Sequence, residues 1–462
     1  MPAQNPRQIA AQVLRLRETA EDYVETLLET ELARSNLSAP DRGLCQELIY
    51  GIARWQRTLD WLIAQKTRGR EQKPLLQIFL RLGLYQIFWL DRIPDHAAVN
   101  ETVELAKRNG FIGQAGFVNA VLRGYLREFD ATKKLLAELK TSQPALGHSH
   151  PEWLYERWKN RWDAQKAVHL MDWNNTPPKT FARVNTLKFF NRRAELRDAL
   201  TSEEISGRRG TPPSEDVVGA LLELWREEGV EAEPVSRDWL PENLVFELKS
   251  HPPLATLPSF QQGFFYIQDP GTLLAVRELN PQPGETILDL CAAPGGKATF
   301  VAQLMRNEGR VVAADVSQER LKLVEENCAR LGVTCIEAVL TPHFALRTPH
   351  FDKILMDAPC SNTGVMRRRV DLRWRIAPEE ISRLQATQLQ LLNLATPRLK
   401  PGGVLVHSTC SLEPEENSEV VKKFLAEHPD FKLEKERELS PFADNVDGAY
   451  VAKLSRGQLT SP

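Results

Sequence analysis

Residues 286–297 read TILDLCAAPGGK: a five-residue apolar run, a turn of small residues, and then, from Ala298, helical spacing. A buried strand that runs through glycines into a helix start lets backbone N–H groups approach a ligand closely. The turn lacks the G-x-G-x-x-G spacing suited to a pyrophosphate, and Lys297 lacks both the spacing and the following hydroxyl residue of a P-loop. The next apolar run ends VVAAD and places Asp315 twenty residues beyond Gly295. An acidic side chain at that distance can accept hydrogen bonds from both hydroxyls of a ribose. Cofactors of hydride and of methyl transfer share this ribose logic, and the spacing does not choose between them.

Outward from this motif the chain alternates strands with helices. The apolar runs TILDL, VVAAD, KILMD and VLVHS alternate with helical stretches at Ala298 to Arg306, Gln318 to Leu331 and Glu379 to Leu399. Such alternation implies an α/β, Rossmann-like domain with a mostly parallel sheet, covered on both faces, over residues 263–462. Ligands on such sheets sit at the carboxyl ends of the strands.

Upstream the pattern differs. From Pro6 to about Phe129 apolar residues recur at three- and four-residue spacing, as in Leu76, Phe79, Leu80, Leu82 and Leu84, without strand signals. Breaks at Asn36 to Asp41 and Arg92 to His96 divide it into several helices, so residues 1–145 should form an all-helical bundle. The polar stretch from Ala131 to His150 reads as a linker. Residues 146–262 combine a helix bearing Trp153, Trp158 and Trp162, a strand candidate FARVNTLK and a helix at Val217 to Glu228, and so suggest a small α+β domain. Within it SEEISGRRGTPPSED reads as an exposed insertion. Three domains suit 462 residues at about 150 residues each.

Composition narrows the class. With 42% apolar and 26% charged residues, and no stretch near the roughly 18 consecutive apolar residues of a membrane helix, the chain reads as globular and cytoplasmic. Its six cysteines, Cys45, Cys291, Cys328, Cys335, Cys360 and Cys410, show no CxxC spacing or histidine partners, so neither a metal nor a disulfide framework is expected. The net charge of −2 conceals an excess between residues 51 and 127, where twelve Lys and Arg face six Asp and Glu. Such an excess binds phosphate backbones or is simply a solvated helical surface.

Two cysteines stand at strand ends. KILMDAPCSNTG supplies Asp357 and Cys360, and GGVLVHSTCS supplies Cys410. Cys328 and Cys335 read as structural, whereas a thiol at a strand-to-loop transition on the ligand face can reach a bound base. Between them MRRRVDLRWR sets Arg367, Arg368, Arg369, Arg373 and Arg375 around Trp374, a composition suited to phosphate contact and base stacking.

D-x-C-A-A-P-G-G-K, D-A-P-C-S-x-T-G and S-T-C-S-x-x-P-x-E-N resemble the signature motifs of RNA cytosine-C5 methyltransferases, and more narrowly those of the Sun/RsmB ribosomal RNA family. RGLCQELIYGIAR and GFVNAVLRG are similar to the NusB-like helical domain this family carries in front; FARVNTLK and FYIQDPGTLLA resemble its middle segment. The resemblance implies S-adenosylmethionine as methyl donor, held by Cys291, Ala292, Ala293, Pro294, Gly295, Gly296, Lys297, Asp315 and Asp357. It implies Cys410 as the thiolate that adds to carbon 6 of cytosine, Cys360 as the residue that assists release, and Asp357 at the base edge. It further implies 16S (small-subunit) ribosomal RNA as substrate; the chain is expected to be a monomer. A transfer RNA cytosine methyltransferase and a non-catalytic ribosome-assembly factor remain alternatives. Two departures stand out. No Asp or Glu lies between Ala338 and His350, where the family places an acid near the adenine, with Glu337 too early to replace it, and DGAY (447–450) lacks the paired aromatics expected after D-G.

Overall fold

The structure is a computed structural model that describes residues 5–188, 215–340 and 350–458. The chain divides by packing into two compact units, Met1–Pro177 with Met366–Ile376, and Pro178–Val365 with Ala377–Pro462.

The first unit is helical, and its helices start where the sequence supplies caps. The Asn5 side chain accepts from the Arg7 N–H (2.8 Å) ahead of Pro6–Arg17, and the Ser38 hydroxyl accepts from the Asp41 N–H (3.3 Å) ahead of Ala39–Thr67. Leu48, Ile49, Ile52, Phe79, Leu80 and Leu84 bury one face each of Ala39–Thr67 and Pro74–Trp89. Gly51 permits their close approach: a Cβ there would lie 1.9 Å from Tyr85 Cζ.

Residues 131–150 are not a linker. They continue as helices Phe129–Ser142 and Pro144–Gly147, and His148, Ser149 and His150 are buried. The long helix bonds to this segment: Ser149 accepts from the Arg57 N–H (3.1 Å), and Thr58 donates to the Leu146 carbonyl (2.7 Å). The helices Glu152–Arg161 and Ala164–Asn175, expected to open the middle domain, also pack with the helical unit, where Trp158 is fully buried edge-on to His150.

The second unit holds two sheets. β1 (Thr180–Val184), β2 (Glu231–Pro234), β3 (Val245–Ser250) and β4 (Phe265–Ile267) form an antiparallel sheet in the order β2-β3-β1-β4. Helix Glu215–Glu227 covers it, with Val218, Leu221 and Trp225 packing on Ala182, Val184, Phe246 and Phe265. Because β4 pairs with β1, this sheet extends past residue 262, where the sequence suggested a boundary. The expected insertion at 202–216 lies mostly outside the described residues.

The larger sheet contains β5 (Thr286–Leu290), β6 (Arg310–Asp315), β7 (Ile336–Leu340), β8 (Phe351–Asp357), β9 (Leu399–Thr409), β10 (Phe431–Leu439) and β11 (Ala449–Arg456). Its order is β10-β11-β9-β8-β5-β6-β7, parallel from β9 to β7 and antiparallel at the β10-β11 edge. Alternate residues enter different cores. Ile287, Val311, Leu355 and Val406 pack on one face and Leu288, Val312, Ile354 and Leu405 on the other, which is why the strands read as unbroken apolar runs. β5 pairs with both β6 and β8, so chain order reverses between β5 and β8. A crevice therefore opens at their carboxyl ends.

Candidate active site

The TILDLCAAPGGK turn shapes one wall of that crevice. Cys291 (φ 69°) and Gly295 (φ 100°) are both left-handed, and Gly295 starts helix Gly296–Leu304. A Cβ on Gly295 would press on Val324 at 3.3 Å. Burial pushes the Cys291 thiol far above its ordinary range, so it lines the wall as a small apolar group. A cavity of about 200 Å³ is lined by Cys291, Ala292, Ala293, Pro294, Gly296, Lys297 and Asp357 together with Tyr266, Gln268 and Asp289. Gly295 and Asp315 stand behind this lining. The Asp315 carboxylate accepts from the Ala293 N–H (3.2 Å) and the Ser317 N–H (3.1 Å) and pairs with Arg320 (3.3 Å), so it braces the loop.

Asp289 is fully buried, and neither carboxylate oxygen has a hydrogen-bond partner. Burial, reinforced by the charge of Asp357, pushes its carboxyl up to about 8. An unpaired buried acid on a cavity wall suits a ligand bearing a cationic group. The donor set thus fits a compact positively charged ligand whose other end needs backbone N–H groups.

The expected absence of an acid between Ala338 and His350 falls largely on residues 341–349, outside the described residues. Glu337 is exposed and paired with Arg310 (2.5 Å).

Beside the cavity, β8 and β9 carry the two cysteines to the same edge. Asp357 and Ser408 are register partners, and the Ser408 hydroxyl donates to Asp357 Oδ1 (3.0 Å). Lys297 Nζ lies 2.6 Å from Asp357 Oδ2. Three residues past Asp357, Cys360 Sγ is 3.4 Å from Cys410 Sγ, and Cys410 donates to Asn362 Oδ1 at 2.9 Å. Asn362 adopts φ 58° and donates its amide to the Cys360 carbonyl (2.8 Å), which closes a ring around both sulfurs. The hydrogen bond with Cys410, aided by burial, raises the Cys360 thiol well above its usual value. Cys360 is therefore held as a thiol.

Several functional groups had no role in the sequence reading. Glu416 is fully buried. It accepts from the Ser361 N–H (2.8 Å) and from the hydroxyls of Ser361 and Ser411, and burial against those bonds pushes it up to about 7. Asn417 accepts from Thr409 (2.6 Å) and donates to the Ser411 carbonyl (2.9 Å). The E-N ending of S-T-C-S-x-x-P-x-E-N was the available signal. Arg183 of β1, 1% exposed, donates to the Gly296 carbonyl (2.8 Å) and Thr299 (3.1 Å), tying the small sheet to the cofactor turn. In DGAY, Gly448 donates to the Gly364 carbonyl (2.8 Å), and the Gly364 N–H donates to the Cys410 carbonyl (2.9 Å).

The arginine run is a correction. Met366–Ile376 belongs to the helical unit and spends most of its side chains there. Arg373 is fully buried and donates to the carbonyls of Ser149 (3.3 Å) and Asn174 (3.0 Å) and to Asn175 Oδ1 (2.7 Å). Trp374 donates to the Ala53 carbonyl (2.6 Å); Arg375 pairs with Asp371 (2.7 Å) and donates to the Glu21 and Asp22 carbonyls. Buried Arg367 stacks over Trp173 at 4.0 Å. Arg367 and Arg373 thus do not face nucleic acid, and Trp374 is engaged at its indole N–H. Arg368 is partly buried and Arg369 exposed. The charge excess of residues 51–127 is reduced in the same way, since Arg54 is buried and Lys66, Arg81 and Lys107 pair with Glu128, Asp60 and Glu104.

Among the described residues no cluster of three or more His, Cys, Asp or Glu could hold a metal ion, and no helix is long and apolar enough to cross a membrane. Three family models match: 16S rRNA methyltransferase RsmB/F over residues 276–455, the NusB family over 4–127, and the ferredoxin-like domain of RsmF/B-like methyltransferases over 150–218. The chain is 37% identical to the probable ribosomal RNA small subunit methyltransferase B of Bacillus subtilis, across 92% of this chain and 89% of that protein. It is 36% identical to the probable ribosomal RNA small subunit methyltransferase B of Synechocystis sp., across 98% and 95%. The crystal structure of a methyltransferase homolog protein from Pyrococcus horikoshii, 28% identical, superposes with a TM-score of 0.54 over 68% of this chain and 97% of its own.

Proposed function

Since the chain belongs to the RsmB/F family of 16S rRNA methyltransferases, we propose that it methylates carbon 5 of a cytosine in small-subunit ribosomal RNA through a covalent bond to Cys410. The observation that carries this reading is the 3.4 Å approach of two thiols from different strand ends, beside a cavity with an unpaired acid. A methyltransferase acting on a nitrogen or a ribose hydroxyl has no use for such a pair. Bound in the cavity, S-adenosylmethionine would supply an electrophilic methyl group. Asp289 would face its cationic end, and the 291–297 turn, braced by Asp315, would hold the nucleoside side.

Carbon 5 of cytosine is a weak nucleophile until a thiolate adds to carbon 6. Cys410 loses its proton to solvent and bonds carbon 6 as a thiolate, and the pair displaced from the C5–C6 double bond makes carbon 5 nucleophilic. Asp357 accepts from the cytosine edge and holds a solvent-derived proton on its N3, which offsets the negative charge that the thiolate brings into the ring, while Lys297 and Ser408 fix its two oxygens. After transfer the C5 proton leaves to solvent, the double bond re-forms and the C6–S bond breaks. Cys360, held as a thiol, donates its hydrogen bond to the departing sulfur. The helical unit docks the RNA, with exposed Arg369 as a contact of the arginine run, and the target base leaves its stack to reach Cys410.

The test incubates the protein with undermethylated small-subunit ribosomal RNA and labelled S-adenosylmethionine and maps the modified base. A single 5-methylcytosine is expected; label elsewhere, or none, overturns the reading, and labelling of transfer RNA instead would reassign the substrate.

A further inference from the structure

Cys360 and Cys410 reside on separate loops, and no main-chain hydrogen bond links Cys360 itself to Cys410 among the described residues. Next to the sulfurs the loops are joined by the Cys410–Asn362 hydrogen bond, by the Gly364 N–H to the Cys410 carbonyl, and by one buried carboxyl that reaches both loops. Glu416, from the turn Pro414–Glu416, reaches the residue that follows each cysteine: Ser361 through its N–H (2.8 Å) and hydroxyl, and Ser411 through its hydroxyl (2.5 Å). The two hydroxyls are themselves 3.0 Å apart. Thr363 extends the cluster by contacting Ser411 (3.3 Å) and accepting from the Leu412 N–H (2.9 Å). A buried carboxyl is costly to hold away from water, and here it accepts three hydrogen bonds, all from groups adjacent to the thiols. A packing role alone would be served by an apolar residue.

We infer that Glu416 is a positioning residue that clamps the Cys360 and Cys410 loops so that the two sulfurs stay in contact. The inference rests on the reading of this dithiol as the cytosine site for its enzymatic consequence, but not for its geometric one. Gln at 416 keeps an oxygen for the Ser361 N–H, and its amide can donate to serine hydroxyls that turn to accept, so Glu416→Gln preserves the clamp. Glu416→Ala removes it and leaves the Ser361 N–H unpaired.

The experiment has two readouts on the full-length protein. In the first, needing no RNA, diamide oxidises the paired thiols to an intramolecular disulfide, and the rate of Cys360–Cys410 closure is followed by mass spectrometry. Glu416→Ala should slow closure at least fivefold and Glu416→Gln by less than twofold. In the second, methyl transfer by Glu416→Ala should show kcat lowered tenfold or more with the RNA KM within twofold of wild type, and Glu416→Gln should restore most of the loss. Should Glu416→Ala fail to fold, the double variant Ser361→Ala/Ser411→Ala carries the test, with the same direction expected in both readouts. Wild-type closure and kcat in the alanine or double-serine variant overturn the inference. If the wild-type protein closes its disulfide but methylates no RNA, the functional reading fails while the closure rates still decide the clamp.

Discussion

The sulfurs of Cys360 and Cys410 stand 3.4 Å apart across fifty residues of sequence, one buried and raised in pKa, the other partly exposed and bonded to Asn362. That asymmetry divides their work. Cys410→Ala should form no covalent complex with substrate RNA and transfer no methyl group. Cys360→Ala should transfer once and then accumulate the protein–RNA adduct, visible as a band that survives denaturing electrophoresis. An adduct in the Cys410 variant would reverse the assignment.

Lys297 lies against Asp357 at 2.6 Å at the mouth of the same site. Removing the ammonium leaves Asp357 with Ser408 as its hydrogen-bond partner and frees it to turn away from the base edge. Lys297→Met is expected to lower kcat/KM at least tenfold, or about 1.4 kcal/mol of transition-state stabilisation. Steady-state kinetics at saturating cofactor check this, and an unchanged kcat/KM would remove Lys297 from the mechanism.

Asp289 carries a pH signature. Its folded value near 8 stands far above an unfolded aspartate near 3.9, so between these values the native protein holds a proton that the unfolded chain has released. Stability should therefore fall as pH rises from about 4 toward about 8, and Asp289→Asn should flatten that slope in thermal melts. A cationic ligand favours the ionised form, so binding of S-adenosylmethionine at neutral pH should release protons. Calorimetry in buffers of different ionisation enthalpy measures this, and the same enthalpy in every buffer is the contrary result.

The parallel sheet, the glycine turn and both cysteines were legible because each leaves a local mark: an apolar run, a small-residue turn, a strand end. Glu416 left only its place in a motif, since nothing in the spacing of S-T-C-S-x-x-P-x-E-N says that a carboxyl folds back onto Ser361 in another loop. The polar stretch 131–150 misled for a related reason, because the Arg57 N–H that meets Ser149 and the Thr58 hydroxyl that meets the Leu146 carbonyl lie about ninety residues away. A charge count cannot distinguish arginines that meet phosphate from arginines that meet the chain's own carbonyls. Within MRRRVDLRWR the mark was Val370 and Asp371, apolar and acidic residues out of place on a phosphate-binding surface, and both are buried in the helical unit.

That segment yields a prediction in which stability and RNA binding separate. Asp371 has no exposed side-chain surface and pairs with both Arg17 and Arg375. Removing one member of a buried charge cluster strands the others, so Asp371→Asn should cost about 3–5 kcal/mol in denaturant unfolding. Arg373→Ala empties carbonyl-bonded positions at Ser149 and Asn174 and should destabilise in the same direction. Exposed Arg369→Ala should stay within about 0.5 kcal/mol of wild type. RNA titrations over a range of salt supply the second axis. Removing a cation that neutralises one phosphate lowers the salt slope by about 1, which is expected for Arg369→Ala and not for folded Arg373→Ala. A reduced slope in Arg373→Ala with unaltered stability would return that arginine to the RNA surface.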